Sequence, residues 1–172
     1  YIPLQGAFRQ SFANYPFLQK HDLSGHLAWT AYAIGEARVA DLVTDQKGNV
    51  YLCGEVWSEG LTFVSANGRK DSLAKPKDYT SRGIYLAKFS PQGQILHSTF
   101  ISSDRYDAPH TMAIDSEGNI ILGGVFMYSK ENTLTRNYLL HKISPDFELI
   151  WSKLGNSWLS WKAMKKWRMF WN

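Results

Sequence analysis

With 172 residues, 44% hydrophobic, 20% charged and 15% aromatic, the chain can bury a sizeable core and is too aromatic for intrinsic disorder. One cysteine excludes a disulfide framework or cysteine-rich zinc site, 13 Gly and 6 Pro exclude a collagen-like chain, and no apolar run reaches the ~18 residues of a spanning helix. The formal charge of +4 lies wholly in the last 15 residues: residues 1–157 hold 15 basic and 15 acidic side chains, which removes the main electrostatic support for a nucleic-acid binder.

The chain opens at Tyr1, without a charged region followed by an apolar one. The expectation is either a removed leader or a start inside a longer protein. The first predicted strands lie near Phe17–Lys20 and Leu27–Ile34, and read as the last two strands of one repeat unit. Next come Ala37–Val43 and Val50–Gly54, short runs rich in aliphatic and β-branched residues. Between them Asp45-Gln-Lys-Gly-Asn49 predicts a tight hairpin: Asp caps through its side chain, while Gly and Asn accept positive φ. Cys53, inside the second run, reads as a small buried apolar residue rather than a nucleophile.

The segment 55–83 then interrupts the unit. It holds Trp57, Arg69 and Lys70, and two readings stand: a recognition loop using those three residues, or a solvated insertion of low cost. Ile84–Phe89 and Gln94–Ile101 follow as strands joined by a Ser-Pro-x-Gly turn at 90–93. Asp107-Ala-Pro-His110 precedes a strand at Thr111–Ile114; a ligand contact there competes with a turn Asp and a solvated His. Ile120–Gly124 comes next, and Leu149–Leu154 reads as the start of a further unit. No stretch before residue 158 has a helical period.

Two elements recur. Asp45-Gln-Lys-Gly-Asn-Val-Tyr-Leu-Cys-Gly54 matches Asp115-Ser-Glu-Gly-Asn-Ile-Ile-Leu-Gly-Gly124 at an offset of 70. Tyr85-Leu-Ala-Lys-Phe-Ser-Pro matches Tyr138-Leu-Leu-His-Lys-Ile-Ser-Pro, and more weakly Phe17-Leu-Gln-Lys. Four-stranded units at this spacing predict an all-β fold of β-propeller blades, about three blades or a partial ring over residues 1–157. The motifs resemble SBBP-type β-propeller repeats, most clearly over 38–100 and 108–154. That resemblance implies a secreted or cell-surface scaffold or binding module and carries no catalytic set. Three blades do not close a ring, so further blades of a larger propeller, or further copies of the chain, are the expected complement.

The repeat register places a further Asp-x-x-Gly-Asn turn near 169, but residues 158–172 depart from it. On a helical wheel Trp161, Trp167 and Trp171 share a side with Met164, opposite Lys162, Lys165 and Lys166. The readings are a helix on an anionic membrane or in a partner groove, a strand pair closing the fold, or a stretch without an evolved role. No His pair has metal spacing, Gly-x-Ser-x-Gly is absent, and Asp-x-x-Gly-Asn lacks the alternating oxygens of a calcium loop, so no metal or other cofactor is expected. The reading is a non-enzymatic scaffold, extracellular or in the cell envelope, with a protein partner or further copies and with carbohydrate as another ligand class. Its rival is a propeller-based hydrolase or lyase using Asp107 and His110.

Overall fold

The computed structural model describes residues 15–76, 82–101, 106–130 and 133–156. These form twelve strands and no helix: β1 (Phe17–His21), β2 (Leu27–Ile34), β3 (Ala37–Thr44), β4 (Val50–Val56), β5 (Gly60–Val64), β6 (Lys70–Ala74), β7 (Gly83–Phe89), β8 (Ile95–Ile101), β9 (Tyr106–Ile114), β10 (Ile120–Lys130), β11 (Thr133–Ile143) and β12 (Leu149–Asn156). They build three antiparallel four-stranded sheets, ordered β1-β2-β5-β6, β3-β4-β7-β8 and β9-β10-β11-β12. No closed ring is present among the described residues.

The second sheet lies between the other two. Along β4, Leu52 and Val56 face the first sheet while Tyr51 and Cys53 face the third, as the period of two requires. One core layer sets Leu18, Ala31, Ala33, Leu61 and Phe63 of the first sheet against Leu52, Ala87 and Phe89. The other sets Ile84 and Leu86 against Met112, Ile120, Leu122 and Leu139 of the third. Burial on both faces explains why β4 and β7 are nearly continuous apolar runs.

Two expectations are corrected here. The segment 55–83 is not one long loop: within it residues 60–74 fold into the hairpin β5–β6, which leaves the second sheet between β4 and β7 and pairs with β2. The alternation in Gly60-Leu-Thr-Phe-Val64 sends Leu61 and Phe63 into the core, where each is at most 2% exposed. Leu149–Leu154 starts no new unit; as β12 it is the outer strand of the third sheet, pairing with β11. Residues 158–172, with Trp161, Trp167 and Trp171, lie outside the described residues.

Six hairpin turns share one design. The backbone N–H of Asp22, Asp45, Ser65, Ser90, Asp115 and Ser144 donates to the carbonyl four residues on, and each carbonyl accepts from the residue three on. At five of the six, the opening side chain also accepts backbone N–H groups two and four residues later. The antiparallel order puts these six turns at one end of the stack and the connections between β2 and β3, β4 and β5, β6 and β7, β8 and β9, and β10 and β11 at the other.

Candidate functional site

The two ends differ in chemistry. At the turn end, polar groups join neighbouring sheets: Lys20 Nζ and Trp29 Nε1 donate to Pro91 O, and Lys88 Nζ donates to Pro145 O. Arg69 and Lys70 sit here, at the tip and first residue of the β5–β6 hairpin. Trp57, Asp107 and His110 belong to the opposite half, so the structure does not unite the five residues into one surface.

At the connection end the second and third sheets present their edge strands β3 and β9 side by side. Each strand carries a β-bulge at a repeat-equivalent place: Ala40 is the extra residue of β3, between Val39 and Asp41, and His110 that of β9, between Pro109 and Thr111. The residues opposite are Gly54 and Gly124. A Cβ on Gly54 would lie 1.8 Å from Arg38 O, and one on Gly124 would lie 2.3 Å from Ala108 O. The recurring glycine that ends both repeat motifs is therefore the price of bulging the edge strand toward the next backbone.

The strand does not start at Thr111: Asp107 is not a turn residue but lies within β9 and is 2% exposed, while His110, also within β9, is exposed on the bulge. Partial burial first, and then the Arg38 guanidinium, hold the His110 imidazole below its ordinary pKa. Asp41, which the sequence reading passed over, spans the two sheets: its Oδ2 accepts from Thr111 Oγ1 at 3.0 Å and from the Met112 N–H at 2.8 Å.

Glu55 anchors the electrostatics of this end. Its side chain is 1% exposed, paired with Arg38 Nη2 at 2.5 Å across the β3–β4 register and with Arg82 Nη1 at 3.7 Å. Both arginines remain nearly half exposed. The Arg82 guanidinium lies over the Trp57 ring, 5.3 Å from its centroid, and the buried Trp57 indole N–H has no acceptor among the described residues. Arg136, exposed on β11, contributes positive potential at His110. Glu55, Arg38, Arg82 and Arg136 were missed because a charged residue in a β run carries no motif; the signal available was Glu55 in an otherwise apolar strand.

Among the described residues no group of three or more His, Cys, Asp or Glu is placed to hold a metal ion. Cys53 is fully buried, and burial first, then the Asp41 carboxylate, push its thiol up to about 12, which suits packing and not nucleophilic attack. No family model matches the chain, and no curated protein matches it.

Proposed function

We propose that the chain is a non-enzymatic binding scaffold of propeller-type blades whose recognition surface is the connection end, and that its ligand is an acidic segment of a partner protein. The observation that carries this is the buried Glu55 carboxylate holding Arg38 and Arg82 in place beside Trp57, with Arg136 and His110 next to them. A buried carboxylate fixes the two guanidiniums, and the half-exposed Arg38 suits a carboxylate arriving from solvent. An aromatic face beside them supplies the apolar contact of a binding hot spot. The resemblance to SBBP-type repeats supports the propeller reading and a location outside the cytoplasm or in the envelope.

The experiment is titration of the full chain with an oligo-glutamate peptide and, as a second probe, an acidic oligosaccharide such as oligogalacturonate. Binding to the peptide at low salt is expected, weakened about tenfold or more by Arg136→Ala or Trp57→Ala and unchanged by Lys70→Ala at the turn end. Selective binding of the saccharide moves the ligand class to carbohydrate. Absence of binding, or equal loss from Lys70→Ala, rejects the connection end as the recognition surface. The rival enzyme reading is separated by Asp107→Ala with His110→Ala: a hydrolase loses turnover while staying folded.

A further inference from the structure

The six turns share a backbone and differ in the residue that precedes the left-handed position. That residue is Ser24, Lys47, Asn67, Gln92 or Glu117 before a glycine, and Asp146 before Phe147. Only in the β5–β6 turn is it an asparagine, whose side-chain Cγ can close a five-membered ring with the next backbone nitrogen. Asn67 and Gly68 are both exposed, and a Cβ on Gly68 would meet nothing within 4 Å, so the way to that nitrogen is open. At the equivalent Gln92–Gly93 step a Cβ on Gly93 would lie 2.7 Å from the Trp29 indole, and the longer glutamine has to close a six-membered ring. Asn67 Oδ1 accepts from the Arg69 N–H at 3.1 Å, which polarises the side-chain carbonyl toward a nucleophile. The other asparagines whose side chains are described sit differently. Asn49 and Asn119 donate their amides to Asp45 and Asp115 and precede the β-branched Val50 and Ile120. Asn137 is 6% exposed and precedes Tyr138.

We propose that Asn67 is a site of spontaneous deamidation, and that its isoaspartate product unlatches the β5–β6 hairpin from the second sheet. The Gly68 nitrogen gives its proton to a solvent base and attacks Asn67 Cγ. The N–Cγ bond forms, the Cγ–Nδ2 bond breaks, and Nδ2 takes a solvent proton and leaves as ammonia. Water then opens the resulting succinimide at either carbonyl, giving aspartate or, with one more methylene in the main chain, isoaspartate. The Gly68 N–H must first leave Ser65 O, which it meets at 2.9 Å, so the reaction runs through local opening of the turn. The turn is also where the hairpin is bonded to the second sheet. The Ala66 N–H donates to Gly93 O at 3.0 Å, and Ser65 Oγ accepts from the Ile95 N–H at 2.8 Å. An added backbone atom at 67 displaces Ser65 and Ala66 relative to those partners. Aspartate leaves the backbone as it is and keeps an oxygen for the Arg69 N–H.

Incubation of the full chain at mildly alkaline pH, followed by peptide mapping with mass detection, tests the chemistry. Asn67 is expected to convert at least about tenfold faster than Asn49, Asn119 or Asn137, and Asn67→Gln should leave its peptide unconverted. Amide exchange measured by NMR tests the consequence. In the isoaspartate fraction the Ile95 amide is expected to exchange at least about tenfold faster than in the unaltered chain, and in Asn67→Asp it should keep its protection. The Leu86 amide, on β7 between β4 and β8, should be unchanged in both. Three results overturn the proposal. One is an unconverted Asn67 in the folded chain under conditions where the chain in urea converts. The second is conversion of Asn49 or Asn119 as fast as Asn67, and the third is an Ile95 amide as protected with isoaspartate as without it. None of these readouts depends on the connection-end ligand, so this proposal and the binding surface fail independently.

Discussion

Phe147 holds φ at 68°, the left-handed backbone that Gly25, Gly48, Gly68, Gly93 and Gly118 hold in the other five turns. For a bulky side chain that conformation costs free energy, and the compensation is contact between sheets: its ring lies 4.9 Å from His97 and 6.1 Å from Tyr51. At the equivalent place between the first and second sheets the sizes are exchanged, with Trp29 so close to Gly93 that an added Cβ would lie 2.7 Å from the indole. Gly93→Phe should therefore destabilise by about 3 kcal/mol, and adding Trp29→His, which copies the His97–Phe147 pair, should recover at least about half of it in a denaturant double-mutant cycle. Phe147→Ala should be worse than Phe147→Gly, by about 1 kcal/mol, because both lose the ring while only glycine relieves the backbone. The turn acids add a pH dependence. Burial alone would raise the Asp115 carboxyl, but bonds from Lys142, Asn119 and the Glu117 N–H together hold it below its ordinary value, and Asp45 is held down likewise by Asn49 and Lys47. A depressed folded pKa gives stability that is present above the ordinary carboxyl range and is lost as pH falls through the depressed value. The Asp45→Asn, Asp115→Asn double variant should flatten thermal stability below about pH 4, relative to the unaltered chain.

Among the elements, the hairpins formed at Asp45 and Asp115 were legible because one residue pattern specifies the whole turn: a capping oxygen, a left-handed glycine and flanking β-branched residues. The β5–β6 hairpin was not, although Ser65-Ala-Asn-Gly68 makes the same backbone turn. Its outer strand, Lys70-Asp-Ser-Leu-Ala74, is polar enough to read as a loop, which is how an edge strand resists pairing with other chains. Nor does the sequence contain any local sign that the hairpin joins the preceding sheet; three pairs with β2 and the burial of Phe63 decide it. The bulges were hidden for a related reason. Gly54 and Gly124 were visible as a motif, but their cause, the approach of Arg38 O and Ala108 O, is a cross-strand fact. The hairpin is also bonded to the second sheet, since the buried Ile95 N–H donates to Ser65 Oγ at 2.8 Å and Ser98 Oγ donates to Asp71 Oδ2 at 2.8 Å. Ser65→Ala should cost about 1–3 kcal/mol by leaving that amide unsatisfied, whereas Asp71→Ala, which frees a partly exposed hydroxyl, should cost less than about 1 kcal/mol. Equal effects in urea titrations would refute the buried-amide account.

Across the whole molecule, stability runs through the middle sheet. The first and third sheets make their core contacts with opposite faces of β4 and β7, so neither layer survives the loss of the second sheet. Stacked sheets gain stability from neighbour interfaces, and two interfaces sharing one sheet should open together. Cys53 reports on this, because it faces the third sheet at 0% exposure and its thiol is pushed up to about 12. A thiol raised above its ordinary value stabilises the fold below that ordinary value, and the contribution is lost as pH rises toward about 12. Cys53→Ala should remove that part of the alkaline loss while opening a small cavity. At neutral pH, labelling of Cys53 by a thiol reagent should proceed only through opening of the layer between the second and third sheets. If the stack is one cooperative unit, the labelling rate should rise with denaturant on the same slope as global unfolding followed by tryptophan fluorescence. A shallower slope, with labelling ahead of global unfolding, would mean that the third sheet detaches alone and that the second sheet then stands on its contact with the first.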